Sequence, residues 1–297
     1  KRGELEKLLS ARHAHYRSFP NQLSVDGKTL ADLSLEAQTL LGVFRVSGMG
    51  GSYFVCIADG ALDRIEQYLP PGLRPTSLAI VTDHHVDRLY GGRLQERLAS
   101  AELPLTRFSL APGEHTKNLR SVEQLWDFFL RSKIERSSLI LALGGGVIGD
   151  LAGFAAATYL RGLSWVYLPT SLLAMVDASI GGKTGTNLPQ GKNLVGSFHA
   201  PALVLADPAV LATLPQAEIS NGLAEVVKHA VIADPDLFST CESGLQQISE
   251  NWTALLRRAV AVKIRVVNAD PYEKGLRQVL NYGHTIGHAV EAASDYS

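Results

Sequence analysis

The chain has 297 residues, of which 46% are hydrophobic and 19% charged, and its formal net charge is −1. That length predicts two folded units, and the composition is that of a globular protein with a sizeable core. A charge this close to zero excludes a bulk electrostatic field that would recruit nucleic acid or an anionic membrane. The apolar stretches are too short to span a bilayer, no signal peptide is visible, and two cysteines cannot form a disulfide framework, so we expect a cytoplasmic protein.

Residues 1–44 differ in pattern from the rest of the chain. The segment ELEKLLSARHAHYRSF predicts a helix, QLSVDGK a short strand and turn, and LSLEAQTLLGVF a second helix. These elements are too small to bury a core alone, so we interpret 1–44 as the end of a preceding domain. RVSGMGGSY follows, and because it is rich in glycine and serine we predict a linker over residues 45–52.

From residue 53 onward, short apolar runs alternate with helical patterns. The strand candidates are YFVCI, SLAIVTD, SLILAL, SWVYLPT and ALVLAD. Buried strands that alternate with helices predict a mainly parallel sheet flanked by helices, over residues 53–207. After Pro208 the segments EISNGLAEVVKHAVI and WTALLRRAVAVKIRVVNAD have helical periodicity and no strand is obvious, so we predict an all-helical domain over 208–297.

A glycine cluster follows the strand SLILAL. Gly144, Gly146 and Gly149 have the G-x-G-x-x-G spacing, between a buried strand and a helix. Such a turn lets the backbone approach a pyrophosphate at the start of the helix, and equally it allows close packing with no ligand at all. In this fold an acidic residue at the end of the next strand usually holds the ribose, but here that strand ends in Pro-Thr-Ser. The ribose would then be held by Asp83, or by Glu114 with Lys117. Glu114 and Lys117 could equally be a solvated pair in a loop.

The segment MVDASIGGKTGTNLPQGKNLVGSFH, residues 175–199, predicts a polar, glycine-rich loop. Asp177 stands where a P-loop needs its first glycine, so the GGKTG stretch does not indicate a nucleotide triphosphatase. Lys183, Lys192 and Asn193 suit a phosphate or polyhydroxyl ligand, although lysines in a loop often serve solubility alone. Arg161 either adds charge to this site or caps the end of its helix.

The helical half carries two charged or imidazole pairs. Glu225 and Lys228 lie on one helical face, where a surface ion pair is the commoner explanation. His284 and His288 also share a face, and their spacing suits a metal. The stretch HTIGH lacks the glutamate of H-E-x-x-H, so it does not indicate a zinc peptidase. Polar residues crowd the approach to these histidines: Lys263, Glu273, Arg277 and Asn281.

Together these segments resemble 3-dehydroquinate synthases. The resemblance covers roughly residues 50–297 and lies in GGGVIGDLAGFAAATYLRG, LPTSLLAMVDASIGGKTGTN, GKNLVGSFH, GLAEVVKHA and GLRQVLNYGHTIGHAVE, in that order. Residues 4–44 resemble, more weakly, the end of shikimate kinase. The resemblance therefore implies an excerpt of a bifunctional polypeptide that carries the synthase and the kinase.

The resemblance implies an enzyme of the shikimate pathway, a carbon–oxygen lyase that converts 3-deoxy-arabino-heptulosonate 7-phosphate into 3-dehydroquinate and phosphate. It implies a Rossmann-like NAD-binding domain, a helical metal- and substrate-binding domain, bound NAD, one divalent metal (zinc or cobalt) and a homodimer. It also implies that the third metal ligand follows Ser297, so we expect this excerpt alone not to be competent. A small sugar phosphate is the expected partner, with no nucleic acid and no membrane.

The resemblance also assigns residues to roles. It implies that NAD is contacted by Asp83, Glu114, Lys117, Gly144, Gly145, Gly146, Asp150, Thr170, Ser171 and Lys192. It implies that substrate is bound by Arg161, Asp177, Lys183, Asn193, Lys228, Lys263, Arg277 and Asn281, with Arg161 reaching in from a second subunit. Glu273 and His288 resemble the family's proton-transfer residues, and Glu225 and His284 resemble two of its metal ligands.

Two positions depart from the family pattern, and three other readings stay open. His85 stands where Asn is frequent and His229 where an aromatic is common; His229 lies one turn after Glu225 and so offers a stand-in ligand. The first alternative is a sister cyclase that makes an inosose or a valiolone, against which Arg277 argues. The second is a metal-dependent alcohol dehydrogenase, which would release NADH, and the third is a non-catalytic scaffold.

Overall fold

The computed structural model describes residues 2–19, 21–49 and 51–293, apart from the side chains of Arg2, His288, Ala289 and residues 291–293. Its strands are β1 (Val43–Gly48), β2 (Gly51–Ile57), β3 (Leu78–Asp83), β4 (Leu105–Leu110), β5 (Leu139–Gly144), β6 (Ser164–Pro169), β7 (Lys183–Leu188), β8 (Gly191–Phe198) and β9 (Leu203–Ala206). Seven of them form one sheet in the order β1-β2-β9-β6-β5-β3-β4, and β7 and β8 form a separate antiparallel hairpin.

All neighbours in the large sheet are parallel except β1 and β2. The central strands β3 and β5 are buried along their whole length, because helices cover both faces of a parallel sheet and leave no side for water. Apolar runs without alternation, such as LILALG, are the result. The predicted mainly parallel α/β sheet is confirmed.

The helices are α1 (Arg2–Arg17), α2 (Leu30–Leu41), α3 (Ile65–Tyr68), α4 (His84–Val86), α5 (Gly92–Leu98), α6 (Leu119–Arg131), α7 (Gly146–Thr158), α8 (Gln216–Ala233), α9 (Pro235–Glu242), α10 (Leu245–Ser249), α11 (Trp252–Ala269) and α12 (His284–Ala293). Between residues 208 and 293 the chain forms helices and turns and no strand, as predicted. Of the helices in the described part of the chain, none is both long and apolar enough to cross a membrane.

The segment predicted as a linker, 45–52, instead belongs to an antiparallel pair of strands. Phe44 and Val46 are fully buried and alternate with exposed residues, so β1 adds an edge strand beside β2. Gly48 adopts φ +119° at the turn, which explains the glycines without a linker. The strand predicted within 22–28 is also wrong, since only its turn forms. The boundaries at 53 and 208 stay predictions.

The carboxyl ends of the parallel strands form one edge, and this edge positions the site. The chain runs from β3 outward to β4, then returns to β5 on the other side of β3. This reversal opens a crevice at the strand ends, where ligands of open α/β sheets bind. The residues after β3, β4, β5 and β6 all meet there.

Candidate active site

The glycine turn between β5 and α7 combines both roles that its spacing allowed. A Cβ on Gly149 would lie 2.1 Å from Cζ of Tyr167, and one on Gly144 would lie 2.7 Å from Ile148, so these two glycines serve packing. Gly145 and Gly146 differ: a Cβ on Gly146 would lie an ordinary 3.5 Å from Ala178, and one on Gly145 would meet only the Ser171 side chain, with Oγ at a tight 3.3 Å. The first N–H groups of α7 follow directly and have no partner within the helix. Backbone donors and missing side chains thus make a cradle at the strand edge.

Three further residues assigned to NAD lie at the same edge. The Asp83 carboxylate accepts hydrogen bonds from the backbone N–H groups of His85 (2.8 Å) and Val86 (3.0 Å), so it caps the helix after β3. Thr170 donates its N–H to the Gly144 carbonyl at 3.0 Å, and Ser171 begins the turn beside Gly145. The three residues assigned to NAD therefore lie at one edge of the sheet, where each also contributes to the local fold.

Lys117 is not part of a solvated loop pair, contrary to the alternative left open above. It is 6% exposed, and its Nζ lies 2.5 Å from the Asp150 carboxylate and 2.6 Å from Oδ1 of Asn193. Burial raises the pKa of Asp150, and the charge of Lys117 only partly opposes that effect. Glu114 is exposed and accepts a hydrogen bond from Asn187 at 2.8 Å. The ammonium group therefore joins α7 to the β7–β8 hairpin.

The segment predicted as a polar loop, 175–199, is mostly ordered secondary structure. Asp177 sits in a π-helical turn (Ala174–Ala178), and the rest forms the β7–β8 hairpin. Asn193 adopts φ +57°, and Lys192 beside it is exposed. Arg161 is exposed, has φ +69° and does not line the cavity described next.

A cavity of about 590 Å³ lies between the sheet edge, the hairpin and the helical half. Its described lining contains Asp150, Asp177, Lys183, Asn193, Lys228, Lys263, Glu273, Arg277, Asn281 and His284. The residues assigned to substrate are thus brought together, with the exception of Arg161. Lysine and arginine outnumber carboxylates among these lining side chains, so the cavity suits an anionic ligand.

A buried ion pair joins the two halves of the site. Lys263 on α11 is 5% exposed, and its Nζ donates to the Asp177 carbonyl oxygen at 2.7 Å and to the Asp177 carboxylate. Burial alone raises the pKa of Asp177, but the charges of Lys263 and Lys228 outweigh it and hold that pKa well below its usual range. Asp177 is therefore ionised at neutral pH, and it accepts hydrogen bonds only.

The pair Glu225 and Lys228 does form an i,i+3 contact on α8, but it is not a surface pair. Lys228 is 8% exposed and its Nζ contacts Oε2 of Glu225. The other oxygen, Oε1, faces Nε2 of His284 at 3.9 Å. The two predicted metal ligands therefore approach each other, from α8 and from the start of α12.

His229, absent from the predicted ligand pair, lies in the same cluster. Ligand atoms of Asp177, Glu225 and His229 are all within 4.8 Å of one another. The pKa of His229 is lowered to about 3, chiefly by burial, against the opposing influence of Asp177 and the Ala259 backbone. The ring is therefore neutral, and a neutral imidazole can bind a metal. Its place one helical turn after Glu225 was the sequence signal that pointed to it.

Glu273 and Arg277 complete the wall on the helical side. Glu273 adopts φ +57° and contacts Lys183, and it accepts a hydrogen bond from Asn281 at 3.0 Å. Burial alone raises the pKa of Glu273, but Lys183 and Asn281 outweigh it, so this pKa is lowered. Arg277 is 3% exposed and donates to the Pro271 carbonyl at 2.6 Å. His288 lies in α12, but its side chain is outside the described part of the structure.

Three solved structures resemble this fold. A 2-deoxy-scyllo-inosose synthase complexed with carbaglucose-6-phosphate, NAD+ and Co2+ has a TM-score of 0.78 and 27% identity, covering 84% of this chain and 70% of that chain. A 2-epi-5-epi-valiolone synthase from Streptomyces hygroscopicus, with NAD+ and Zn2+ bound, has a TM-score of 0.74 and 33% identity over 84% and 71%. An iron-containing alcohol dehydrogenase from Thermococcus thioreducens (TM-score 0.60, 14% identity, 82% and 76%) shares the fold alone.

The sequence comparisons are more specific. Family models described as 3-dehydroquinate synthase N-terminal and C-terminal match residues 107–221 and 222–297. A 3-dehydroquinate synthase of Gloeobacter violaceus is 49% identical over 248 residues, 82% of this chain and 69% of that protein. One of Thermosynechococcus vestitus is 52% identical over 261 residues, 83% and 70%. The chain belongs to the 3-dehydroquinate synthase family.

Proposed function

We propose that this protein converts 3-deoxy-arabino-heptulosonate 7-phosphate into 3-dehydroquinate and phosphate, as a carbon–oxygen lyase of aromatic amino acid biosynthesis. The observation that carries the proposal is the set of buried cations, Lys228, Lys263 and Arg277, that line one cavity together with His284. Glu225 lies 3.9 Å from His284, and Asp150 of the helix that follows the glycine cradle lines the same cavity. A substrate with a carboxylate and a phosphate matches such a cavity in charge. The conversion removes phosphoric acid and is redox-neutral overall.

The cradle fits a dinucleotide. Gly145 and Gly146 have no Cβ to fill the space before α7, and the N–H groups of the first turn favour the charge of a pyrophosphate. Asp83, at the end of β3, and Glu114, beyond β4, carry the carboxylates that we assign to the ribose. We assign NAD to this edge, with Asp150, Thr170, Ser171 and Lys192 at its margin.

The helical wall fits a divalent metal. A carboxylate oxygen of Glu225 and imidazole nitrogens are donors that zinc and cobalt accept. Glu225 Oε1 and His284 Nε2 are 3.9 Å apart, and ligand atoms of His229 and Asp177 lie within 4.8 Å of Glu225. We assign Glu225 and His284 as ligands.

NAD bound at the glycine cradle would supply a reversible hydride acceptor, and a metal held by Glu225 and His284 would supply polarisation of the hydroxyl to be oxidised. The remaining work belongs to the side chains. Arg277 keeps its charge and can hold a carboxylate bidentately; Gly181, whose Cβ would lie 2.1 Å from Nη2 of Arg277, leaves room for the guanidinium. Lys228 and Lys263 add donors for that carboxylate and the hydroxyls. Lys183 and Asn193 of the β7–β8 hairpin line the same cavity, and we assign the phosphate to them.

Asp177 and Glu273 have ionised carboxylates, and this sets what each can do. Asp177 accepts hydrogen bonds from substrate hydroxyls and orients them, since Lys263 fixes its position. Glu273 accepts a proton, because its lowered pKa keeps it ionised at neutral pH. We assign His288, with Glu273, to proton transfer.

Two assays test this function against its alternatives. Substrate and catalytic NAD should give stoichiometric phosphate while absorbance of NADH stays flat, because the hydride returns to the product. A metal-dependent alcohol dehydrogenase would accumulate NADH. A sister cyclase would accept a heptulose phosphate that lacks the carboxylate, and Arg277→Met would leave that reaction unchanged. We expect Arg277→Met to lower kcat/KM for the carboxylated substrate by about 100-fold, as loss of a charged hydrogen-bonding partner costs about 2–5 kcal/mol.

Finer assignments complete the proposal. We place the protein in the cytoplasm as a homodimer in which Arg161, exposed here, reaches the phosphate site of the second subunit. Sedimentation and complementation between Arg161→Ala and Lys228→Ala chains test this: mixed dimers regain activity only if Arg161 acts across the interface.

We also assign residues 4–44 to the end of a shikimate-kinase-like unit joined to the synthase. In α1, Leu5, Leu8 and Leu9 are 49–58% exposed, which suits a helix that packs against a further unit. ATP-dependent phosphorylation of shikimate by the natural polypeptide tests this, and its absence there removes the assignment.

A further inference from the structure

His229 has an environment that packing alone does not explain. It is fully buried on α8, and neither ring nitrogen has a hydrogen bond of ordinary length and angle, although the Ala259 backbone interacts with the ring. Buried polar groups are almost always paired, because leaving one unpaired forfeits its interaction with water. An aromatic hydrocarbon ring would fill this space without that cost. An imidazole at this position lowers stability, so its presence indicates a bound ligand that is coordinated by a ring nitrogen.

The neighbours of the ring identify that partner. Nε2 of His229 lies 3.9 Å from Oδ1 of Asp177, and ligand atoms of both lie within 4.8 Å of Glu225. Bonds of about 2.0–2.2 Å place two donors on one zinc ion about 3.3–3.6 Å apart. Small side-chain rotations would therefore bring an imidazole and a carboxylate onto one ion.

The charged neighbours of each side chain show which member of this cluster is available to a metal ion. The Asp177 carboxylate is already bound by Lys263, and the Glu225 oxygen that faces Lys228 is likewise occupied. No cation is paired with the imidazole of His229, and neither of its ring nitrogens has a well-formed hydrogen bond. Glu225 Oε1 meanwhile faces His284. Glu225 thus stands between an imidazole on its own helix and one on α12.

We infer that His229 supplies an additional nitrogen ligand to the divalent cation held by Glu225 and His284. The inference rests on the proposed function for the presence of that cation, and it goes further in naming a ligand from α8 itself. The site then takes two donors from one helix, one turn apart, as well as His284 from the start of α12.

The test measures metal binding to the full chain with cobalt or zinc as the only added ligand. His229→Phe keeps a ring of similar size without nitrogen, and His15→Phe, on the exposed face of α1, is the matched control. We expect His229→Phe to weaken Zn2+ more than 100-fold in chelator competition and to change the visible spectrum of bound Co2+. His15→Phe should match the wild type in both. Far-UV circular dichroism without metal shows whether His229→Phe is folded.

A folded His229→Phe protein with wild-type zinc affinity and an unchanged cobalt spectrum overturns the inference and leaves the proposed function standing. Wild-type protein that binds neither ion, and behaves like Glu225→Gln, instead removes the metal from the proposed function. Should His229→Phe not fold, ¹⁵N-histidine spectra of wild-type protein decide. On zinc addition the His229 nitrogen should shift in step with that of His284, and an unmoved signal rejects its role as a ligand. The spectrum of His229→Tyr, which carries an aromatic ring of a kind common in the family, lacks the His229 signal and thereby identifies it in the wild-type spectrum.

Discussion

Lys263→Met removes the ammonium group that ties α11 to the turn carrying Asp177, and we expect it to destabilise the protein mainly through charge. Methionine keeps most of the apolar stem of lysine, so packing changes little. The Asp177 carboxylate, by contrast, loses the strongest of the interactions that lower its pKa. The Asp177 carboxylate then remains largely desolvated, with only the weaker interaction with Lys228 to stabilise its charge.

The magnitude follows from the geometry of the pair. Breaking a buried ion pair on one side costs about 3–5 kcal/mol. The Asp177 side chain is 29% exposed, and Lys228 remains nearby, so solvent and the second cation recover part of this. We expect a loss of about 2 kcal/mol in the free energy of unfolding at pH 7. For a chain of this size that lowers Tm by roughly 3 °C.

The dependence on pH separates charge from packing. In the wild type the pKa of Asp177 lies below its unfolded value of about 3.9, so this carboxylate stabilises the fold above that pH and stops doing so as pH falls through the folded pKa. Without Lys263, we expect burial to raise the pKa above the unfolded value, so that the ionised carboxylate destabilises the variant at pH 7 and takes up a proton as the pH falls towards 4. The difference between wild type and variant should therefore be largest at pH 7 and shrink towards pH 4.

Urea unfolding at both pH values measures the effect, with a double-mutant cycle that includes Asp177→Asn. The coupling between the two substitutions should be about 1–3 kcal/mol at pH 7. Arg131→Met is the control, because its partner Asp127 forms an exposed pair that contributes under about 0.5 kcal/mol. Equal losses at pH 4 and pH 7, with no coupling to Asp177, would show that Lys263 acts through its stem and refute the reasoning.

Three further outcomes follow from the glycine turn and its neighbours. Gly149→Ala should lower the free energy of unfolding by about 1–3 kcal/mol in urea, because its Cβ would overlap the Tyr167 ring at 2.1 Å. Gly92→Ala, in a helix with open space around it, should raise that free energy by about 0.4–1 kcal/mol; a loss there would contradict the packing argument. Lys117→Met should weaken NAD binding about tenfold, roughly 1.4 kcal/mol, as measured by calorimetry. The reason is that Asp150 loses its buried partner and α7 loses its connection to the β7–β8 hairpin. Unchanged NAD affinity would show that Lys117 has only a local structural role.

Local pattern predicted those parts of the fold in which one segment determines its own structure. The run LILALG is buried on both faces, which only a central strand of a covered parallel sheet allows, and the glycines after it fit one sharp turn into a helix. The helices after Pro208 likewise followed from periodicity. Family resemblance then supplied the site residues, and the cavity gathers most of those assigned to substrate although they come from distant parts of the chain.

Features that depend on contacts between segments were not predictable in this way. The glycines of 45–52 indicated a linker, yet β1 pairs with β2 because Phe44 and Val46 find a buried face, and Ser47 donates its N–H to Asn268 on α11 at 2.7 Å. Nothing local to Lys117 showed that it would be buried.

Sequence spacing correctly identifies ion pairs on a helix, but their burial determines whether they serve stability or ligand binding. An i,i+3 pair of glutamate and lysine on an exposed helix contributes a few tenths of a kcal/mol and needs no function. The same spacing in Glu225 and Lys228 lies beside the cavity with the lysine 8% exposed, where both charges have lost much of their hydration. Replacing such a pair by apolar residues often stabilises a protein, so stability alone does not account for it. Lys228 of the pair on α8 lines the same cavity as Lys263 and Asp177, so the buried charges of this region are also the ones that we assign to an anionic substrate. Substitutions that raise stability at these positions should therefore lower substrate affinity, a trade-off that the exposed pair of Arg131 and Asp127 does not share.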